Sequence, residues 1–200
     1  NGVSVNFICV RVENQFPSSR WYSGSGIYRD VTMTVINPIH VDLYGTYVTM
    51  PNLETSSGAD GTLDAKVTLA NDDANSNTVT VETKILDASG AEVGTSASAE
   101  VTVAGTSSET VTLNPALSNP NLWSTDSPCL YTLRTTVTQD GTVIDEYDTD
   151  IGYRWINWEV DTGFYLNGEP VKLQGVCMHH DQGSLGAEAH QRATESQVEI

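Results

Sequence analysis

The residues with the clearest capacity for chemistry lie late in the chain, where an apolar run ends on His179, His180 and Asp181. Imidazole and carboxylate groups exchange hydrogen bonds with the hydroxyls of a substrate, and they also bind metal ions. Adjacent residues of an extended chain point to opposite faces, so at most two of the three side chains can converge on one ion. We therefore expect a binding group rather than a metal site, with His180 and Asp181 orienting His179 or shaping the loop. The alternative is a buried structural histidine.

A second group with binding chemistry lies in the loop NQFPSSRWYSGSG, which contains Arg20, Trp21 and Tyr22. The planar indole of Trp21 can stack on a pyranose ring. The guanidinium of Arg20 can donate to hydroxyls or to a carboxylate. We expect Arg20 and Trp21 to contribute to substrate binding. The alternative for Trp21 and Tyr22 is packing of one domain against its neighbour.

The segment around the histidines predicts the structure that must position them. Two short apolar runs flank the pair Asn167–Gly168, which is typical of a β-hairpin with a tight turn. Leu173–Met178 is almost continuously apolar, as in a strand buried on both faces of a parallel sheet. From Ala187 onward the residues favour a helix, with Glu188 and Arg192 as an i,i+4 pair. Together these features predict the opening βα unit of an α/β domain.

The middle of the chain predicts a β-sandwich. After Pro38, short β-type runs alternate with turn-rich separators, a spacing that indicates an immunoglobulin-like fold with Trp123 and Tyr131 as core and corner residues. Residues 3–13 and 27–36 also alternate, which predicts two strands of a separate sheet before the sandwich. The runs of the sandwich fall at about 41–50, 63–70, 77–87, 98–103, 109–113, 130–138 and 143–153.

Composition and charge argue against several classes of partner. The 200 residues carry 26 acidic and 9 basic side chains, a formal net charge of −17. Binding to nucleic acid or to an anionic membrane surface depends on clustered Lys and Arg, so we expect neither partner. No apolar run approaches the roughly 20 residues of a membrane-spanning helix. The 38% of hydrophobic residues and the frequent Thr, Ser and Val indicate a globular, mainly β protein.

The cysteines and the first residues bear on the cellular compartment. Cys9, Cys129 and Cys177 are too few and too scattered for a zinc site or a disulfide framework, so we expect three buried thiols, with one disulfide as the alternative. The N-terminal residues lack the basic and apolar regions of a signal peptide. Because free thiols occur in exported proteins too, we expect a bacterial periplasmic or extracellular location, with the cytoplasm as the alternative.

Three stretches carry a family resemblance: PSSRWYSGSGIYRDV at 17–31, NPNLWSTDSPCLYTL at 119–133 and GFYLNGEPVKLQGVCMHHD at 163–181. In this order they resemble parts of glycoside hydrolase family 2. The first is similar to the end of its sugar-binding jelly-roll domain, and the second to a stretch late in its immunoglobulin-like domain. The third is similar to the entry into its catalytic TIM barrel. The residues around His179 look most like those of bacterial β-galactosidases in this family.

The resemblance implies a domain organisation. Residues 1–38 are expected to be the last strands of the jelly-roll domain, and residues 39–153 the immunoglobulin-like sandwich. Residues 154–200 are expected to hold a linker, a hairpin and the first βα segment of the barrel. Trp155 and Trp158 are expected to pack the linker against the barrel.

The resemblance also implies a reaction. Family members cleave glycosides with retention of configuration, using two carboxyl groups about 5 Å apart. Both are glutamates on later barrel strands, so this chain contains no catalytic residue of the family and we expect it to be inactive alone. By the same resemblance, His179 matches the histidine that donates hydrogen bonds to the sugar in the innermost subsite.

The sequence thus predicts part of a retaining β-glycosidase, with a β-galactoside or a related carbohydrate as substrate. No cofactor is expected within the chain, although the intact enzyme is expected to accommodate a divalent or sodium ion. Unmatched strand edges also suggest pairing with a second copy. The alternatives are a non-catalytic carbohydrate-binding or adhesive immunoglobulin-like module, and an interaction domain without a carbohydrate role.

Overall fold

A computed structural model describes residues 7–15, 25–179, 182–186, 188 and 190–199. The chain divides into two compact units. One comprises Asn1–Thr34 together with Gly175–Ile200, and the other is Val35–Gln174. The two units are described separately below.

The unit Val35–Gln174 is built from antiparallel β-strands. Strands β1, β3 and β6 form one sheet, and the second sheet has the order β2-β7-β5-β4-β8-β9. A small third sheet has the order β10-β11-β12. The strands are β1 Ile39–Thr49, β2 Asp60–Thr62, β3 Asp64–Asn71, β4 Asn77–Leu86, β5 Glu92–Val103, β6 Ser107–Leu113, β7 Ala116–Ser118, β8 Tyr131–Gln139, β9 Thr142–Ile151, β10 Ile156–Glu159, β11 Gly163–Leu166 and β12 Glu169–Pro170.

The two larger sheets pack face to face because their strands alternate apolar and polar residues. In β3, every second residue from Ala65 to Asn71 is buried, and β4 shows the same period from Val79 to Ile85. Period-two burial directs one face of each sheet into the interior. One core cluster forms around Val67 and Val81 and a second around Leu133, and each draws residues from both sheets. The prediction of a mainly β sandwich is confirmed.

Tyr131, the predicted corner residue, is buried at the start of β8. Its hydroxyl accepts a hydrogen bond of 3.0 Å from the backbone N–H of Asn121. Its ring meets the ring of Tyr153 edge to face, with 5.3 Å between centroids. A tyrosine that bonds back to the upstream backbone is typical of immunoglobulin-like corners, so the corner prediction for Tyr131 is confirmed.

The substitution Tyr131→Phe is expected to lower the free energy of unfolding by about 1–2 kcal/mol, because the partly buried N–H of Asn121 loses its acceptor while the ring packing remains. Urea unfolding of the chain measures this as a shift in midpoint with an unchanged slope. The matched control is Tyr47→Phe, which removes a hydroxyl from an exposed ring of β1. Equal midpoints for the two variants would contradict a stabilising role for the corner bond.

The predicted strands outside the sandwich are corrected by the structure. The described parts of 3–13 and 27–36, and all of 171–178, contain no regular strand. Most of their apolar side chains are exposed, including Phe7 and Val176. An alternating or apolar sequence becomes a strand only when a neighbouring strand takes up its backbone hydrogen bonds. These segments have no such neighbour among the described residues.

The predicted helix is present but begins later than expected. Helix α1 runs from Gln191 to Glu199, four residues after the predicted start. Glu188 lies before it and pairs with His190 at 3.3 Å, so the predicted Glu188–Arg192 pair is wrong. Arg192 instead pairs with Glu199 at 2.8 Å and with Glu195 at 3.5 Å. Arg192 therefore forms its ion pairs with acidic residues that follow it within the helix.

The three cysteines are free thiols. Cys9 and Cys177 are exposed and Cys129 is partly buried, which corrects the prediction of three buried thiols. The two exposed thiols belong to the segments without regular structure, where no core is present to cover them.

Candidate functional site

Of the predicted binding residues, His179 is the one that the structure describes. It is exposed and ends the irregular stretch that follows the hairpin. His180 and Asp181 lie outside the described residues, as do Arg20 and Trp21. Their expected roles in substrate binding stay predictions. The part of the chain that the structure describes contains no group of three or more His, Cys, Asp or Glu side chains arranged to hold a metal ion.

The hairpin that precedes His179 forms as predicted. Strands β10 and β11 pair from Ile156↔Leu166 to Glu159↔Gly163, and β11 pairs with β12 through Leu166↔Glu169. The two-residue turn between β11 and β12 is Asn167–Gly168, with φ of 53° and 83°. A turn of this type needs a positive φ at both central positions, which Asn and Gly adopt most readily.

Asn167 also ties the hairpin to the sandwich. Its Nδ2 donates to the carbonyl oxygen of Trp123 at 3.0 Å, and its Oδ1 accepts from the backbone N–H of Trp155 at 3.2 Å. Its own backbone N–H donates to the carbonyl of Trp155 at 3.0 Å. One side chain therefore joins the hairpin turn to the exit of β9 and to a loop 44 residues upstream.

The Trp123 loop is itself held against the end of β9. The backbone N–H of Trp123 donates to the carbonyl of Tyr153 at 2.8 Å. The guanidinium of Arg154 lies over the Trp123 ring, 5.0 Å from its centroid, a cation–π contact. A β-carbon added to Gly152 would meet the Trp123 side chain at 3.2 Å, so glycine permits the close approach. Trp123 is partly buried in this junction. It belongs to neither core cluster, which corrects the prediction that it is a core residue of the sandwich.

Two further contacts fix the linker between β9 and β10. Trp155 packs against the second core cluster, and the Nδ2 of Asn157 donates to Oε1 of Glu54 at 2.7 Å. Tyr153 is fully buried beneath the linker, and this burial, followed by the proximity of Tyr131, raises the pKa of its phenol. These contacts hold the linker and the hairpin against the sandwich. We define Trp123, Arg154, Trp155 and Asn167 as the hairpin anchor.

Charges on the outer face of the sandwich are paired across strands. Arg134 on β8 forms two hydrogen bonds of 2.8 Å with Asp148 on β9, and Glu146 lies 3.4 Å away. Hydrogen bonding to Arg134 holds the pKa of Asp148 below its usual value, although burial opposes the shift. The guanidinium of Arg134 therefore pairs with the neighbouring strand, and the pair provides no open site for a ligand.

The hairpin anchor supplies position rather than reaction chemistry. The sequence identified the Asn167–Gly168 turn, because the dipeptide is a local signal. It did not identify the bonds from Asn167 to Trp123 and Trp155, since no spacing pattern links residues 44 and 12 positions apart. None of the helices in the described part of the chain could span a membrane.

Comparison with known proteins places these features in a family. The family model described as glycosyl hydrolases family 2 matches residues 39–154. A protein named Beta-galactosidase BoGH2A from Bacteroides ovatus is 41% identical over 197 residues, which cover 98% of this chain and 23% of that protein. A putative beta-glucuronidase from Formosa agariphila is 36% identical over 185 residues, which cover 92% of this chain and 17% of that protein.

A solved structure agrees with these sequence matches. A glycosyl hydrolase family 2 member from Bacteroides cellulosilyticus superposes with a TM-score of 0.78 at 38% identity, covering 90% of this chain and 23% of that one. This chain therefore spans about a quarter or less of the length of the proteins it matches.

Proposed function

This chain belongs to glycosyl hydrolases family 2, and on that premise we propose that it is one section of a retaining β-glycosidase that hydrolyses terminal β-galactosides. Residues 39–153 act as a structural sandwich between a sugar-binding jelly-roll domain, represented by 1–38, and a catalytic barrel that begins within 154–200. The catalytic glutamates belong to later barrel strands, as in other members of the family.

The observation that carries the proposal is the attachment of the hairpin to the sandwich through Asn167. The hairpin leads directly into the stretch that ends on His179. Fixing the hairpin fixes the point at which the chain enters its first barrel strand. In barrels of this type the functional side chains lie at the C-terminal ends of the strands, and the proposed first strand, Leu173–Met178, ends immediately before His179 in sequence.

The galactoside is preferred over a glucuronide because the relative named a β-galactosidase is more similar to this chain than the one named a putative β-glucuronidase, 41% against 36% identity. The stand-alone binding module is less well supported. It predicts that residues 1–36 and 160–200 are integral parts of a non-catalytic module, whereas the proteins that this chain matches are named as glycosidases.

Assays of the full-length protein that contains this chain test the proposal. We expect turnover of p-nitrophenyl β-galactopyranoside, much slower turnover of the matching glucuronide, and a first product that retains the β-anomer by NMR. The 200-residue chain alone is expected to show no turnover. Hydrolysis of neither substrate by the full-length protein, or release of the inverted anomer first, would contradict the proposal.

A further inference from the structure

One face of the hairpin is apolar and partly exposed. Residues directly opposite each other in paired strands project to the same side, so Trp158 and Phe164 share a face with Ile156 and Leu166, the pair two residues along. Leu166 is buried and Phe164 partly buried on this face. The Trp158 and Phe164 rings lie 4.8 Å apart at a tilt of 55°. Trp158 is 67% exposed and Ile156 53% exposed. We define Ile156, Trp158 and Phe164 as the hairpin face.

A cleft of about 450 Å³ continues this face along the chain. It lies between the aromatic pair and the residues that follow β12, ending at Leu173, which is 62% exposed. The Oγ1 of Thr162 donates to Oε2 of Glu159 at 2.8 Å, and Asp161 lies in the β10–β11 turn. Lys172 also lines the cleft, so the surface combines aromatic and aliphatic side chains with one cation, and its apolar part suits an apolar partner.

The position of the hairpin in the chain indicates what that partner is. The hairpin is followed closely by Leu173–Met178, the predicted first strand of the barrel. A chain enters each barrel strand at the N-terminal face and leaves at the C-terminal face, where the active site lies. Six residues of strand span about 20 Å. The hairpin therefore belongs to the end of the barrel opposite His179.

We propose that the hairpin face covers the N-terminal end of the catalytic barrel in the intact enzyme. The inference rests on the proposed function. The matched relatives are long enough to hold such a barrel, since this chain covers only 23% of the first of them. The interior of a barrel is filled with layers of branched apolar side chains, so its end presents the apolar surface that Trp158 and Ile156 require.

A second copy of the chain is a weaker candidate for the same surface. A stable association between separate molecules buries about 800 Å² on each partner. Three side chains cannot supply that area, because one large aromatic contributes at most about 250 Å². Docking within one polypeptide needs far less area, since the covalent connection replaces the entropy cost of association.

The test compares Trp158→Ser in the full-length enzyme and in the 200-residue chain. In the full-length enzyme we expect Tm to fall by roughly 4 °C or more. We expect unchanged kcat and KM, because this end lies far from the active site. In the chain alone we expect a clearly smaller shift, since Trp158 is already 67% exposed there and loses only its contact with Phe164. Trp158→Phe is expected to retain most of the stability, and the exposed control Val143→Ser to change neither protein.

Hydrogen exchange provides a readout that needs no turnover. The backbone amides of 156–166 are expected to exchange more slowly in the full-length enzyme than in the chain alone, and Trp158→Ser is expected to remove that difference. Equal exchange in both proteins, with an unchanged Tm, would overturn the inference. So would a dimer of the chain that Trp158→Ser dissociates, or a rise in KM without a change in Tm. A full-length protein without glycosidase activity would refute the proposed function while leaving this comparison measurable.

Discussion

Alanine in place of Asn167 is expected to destabilise the attachment of the hairpin to the sandwich by about 2–4 kcal/mol. The substitution removes two side-chain hydrogen bonds, of 3.0 and 3.2 Å, and leaves the Trp123 carbonyl and the Trp155 N–H without those partners. Because both groups are only partly buried, each is expected to cost about 1 kcal/mol, the low end of the range for an unpaired backbone group. The positive φ of 53° adds a further cost of about 1 kcal/mol for a residue with a β-carbon.

Two other variants at the same position separate these contributions. Asn167→Gly loses the side-chain bonds but adopts the positive φ freely, so it is expected to be about 1 kcal/mol more stable than Asn167→Ala. Asn167→Asp keeps an acceptor for the Trp155 N–H but turns a carboxylate toward the Trp123 carbonyl, and is expected to be at least as damaging as the glycine variant.

Urea unfolding and hydrogen exchange of 156–170 measure the series in the 200-residue chain. The control is Asn157→Ala, which removes a single bond to the exposed Glu54 side chain and is expected to cost less than about 1 kcal/mol. If Asn167→Ala exchanged no faster in the hairpin than Asn157→Ala, the anchoring role of Asn167 would be wrong.

The sandwich was predictable because its strands carry their own periodicity. Each of the seven predicted runs corresponds to a strand, and alternation such as that of Val79 and Val81 reports directly which face is buried. The short strands β2 and β7 were missed. Each has three residues, too few to show a period, and they form by pairing with each other through Gly61↔Leu117.

The flanking segments were less predictable because a strand forms only when it pairs with a second segment. Residues 171–178 have a sequence that fits a buried parallel strand, yet they remain irregular and largely exposed in this chain. The apolar pattern indicates that the segment can pack between two apolar layers. It becomes a strand only when a neighbouring strand takes up its backbone hydrogen bonds. The predicted site shares this dependence, since His179 is fixed in space only when that strand forms.

The tertiary role of Asn167 illustrates a different limit. The Asn-Gly dipeptide predicts a turn from local dihedral preference alone. Its bond to Trp123 depends on how a loop between β7 and β8 returns to the end of β9, which the sandwich topology decides. Local chemistry was therefore predictable at this residue, while its function as an anchor required the fold.

The substitution His179→Ala in the full-length enzyme is expected to lower kcat/KM for a β-galactoside about 100-fold. The family resemblance assigns this histidine a hydrogen bond to the sugar, and such bonds strengthen as the oxocarbenium-like transition state forms. Loss of one hydrogen-bond donor that stabilises a transition state typically lowers kcat by about 10²–10³. Because the bond is stronger in the transition state than in the bound substrate, the loss is expected mainly in kcat.

A structural histidine would behave differently, which makes the assignment testable. His179 is exposed in this chain, so alanine is expected to leave the Tm of the 200-residue chain unchanged. His179→Gln retains a donor and is expected to recover part of the lost kcat. His190→Ala, at the exposed residue immediately before α1, serves as the control and is expected to keep full activity. A variant that lost stability in step with activity, with no recovery by glutamine, would show that His179 supports the fold rather than the substrate.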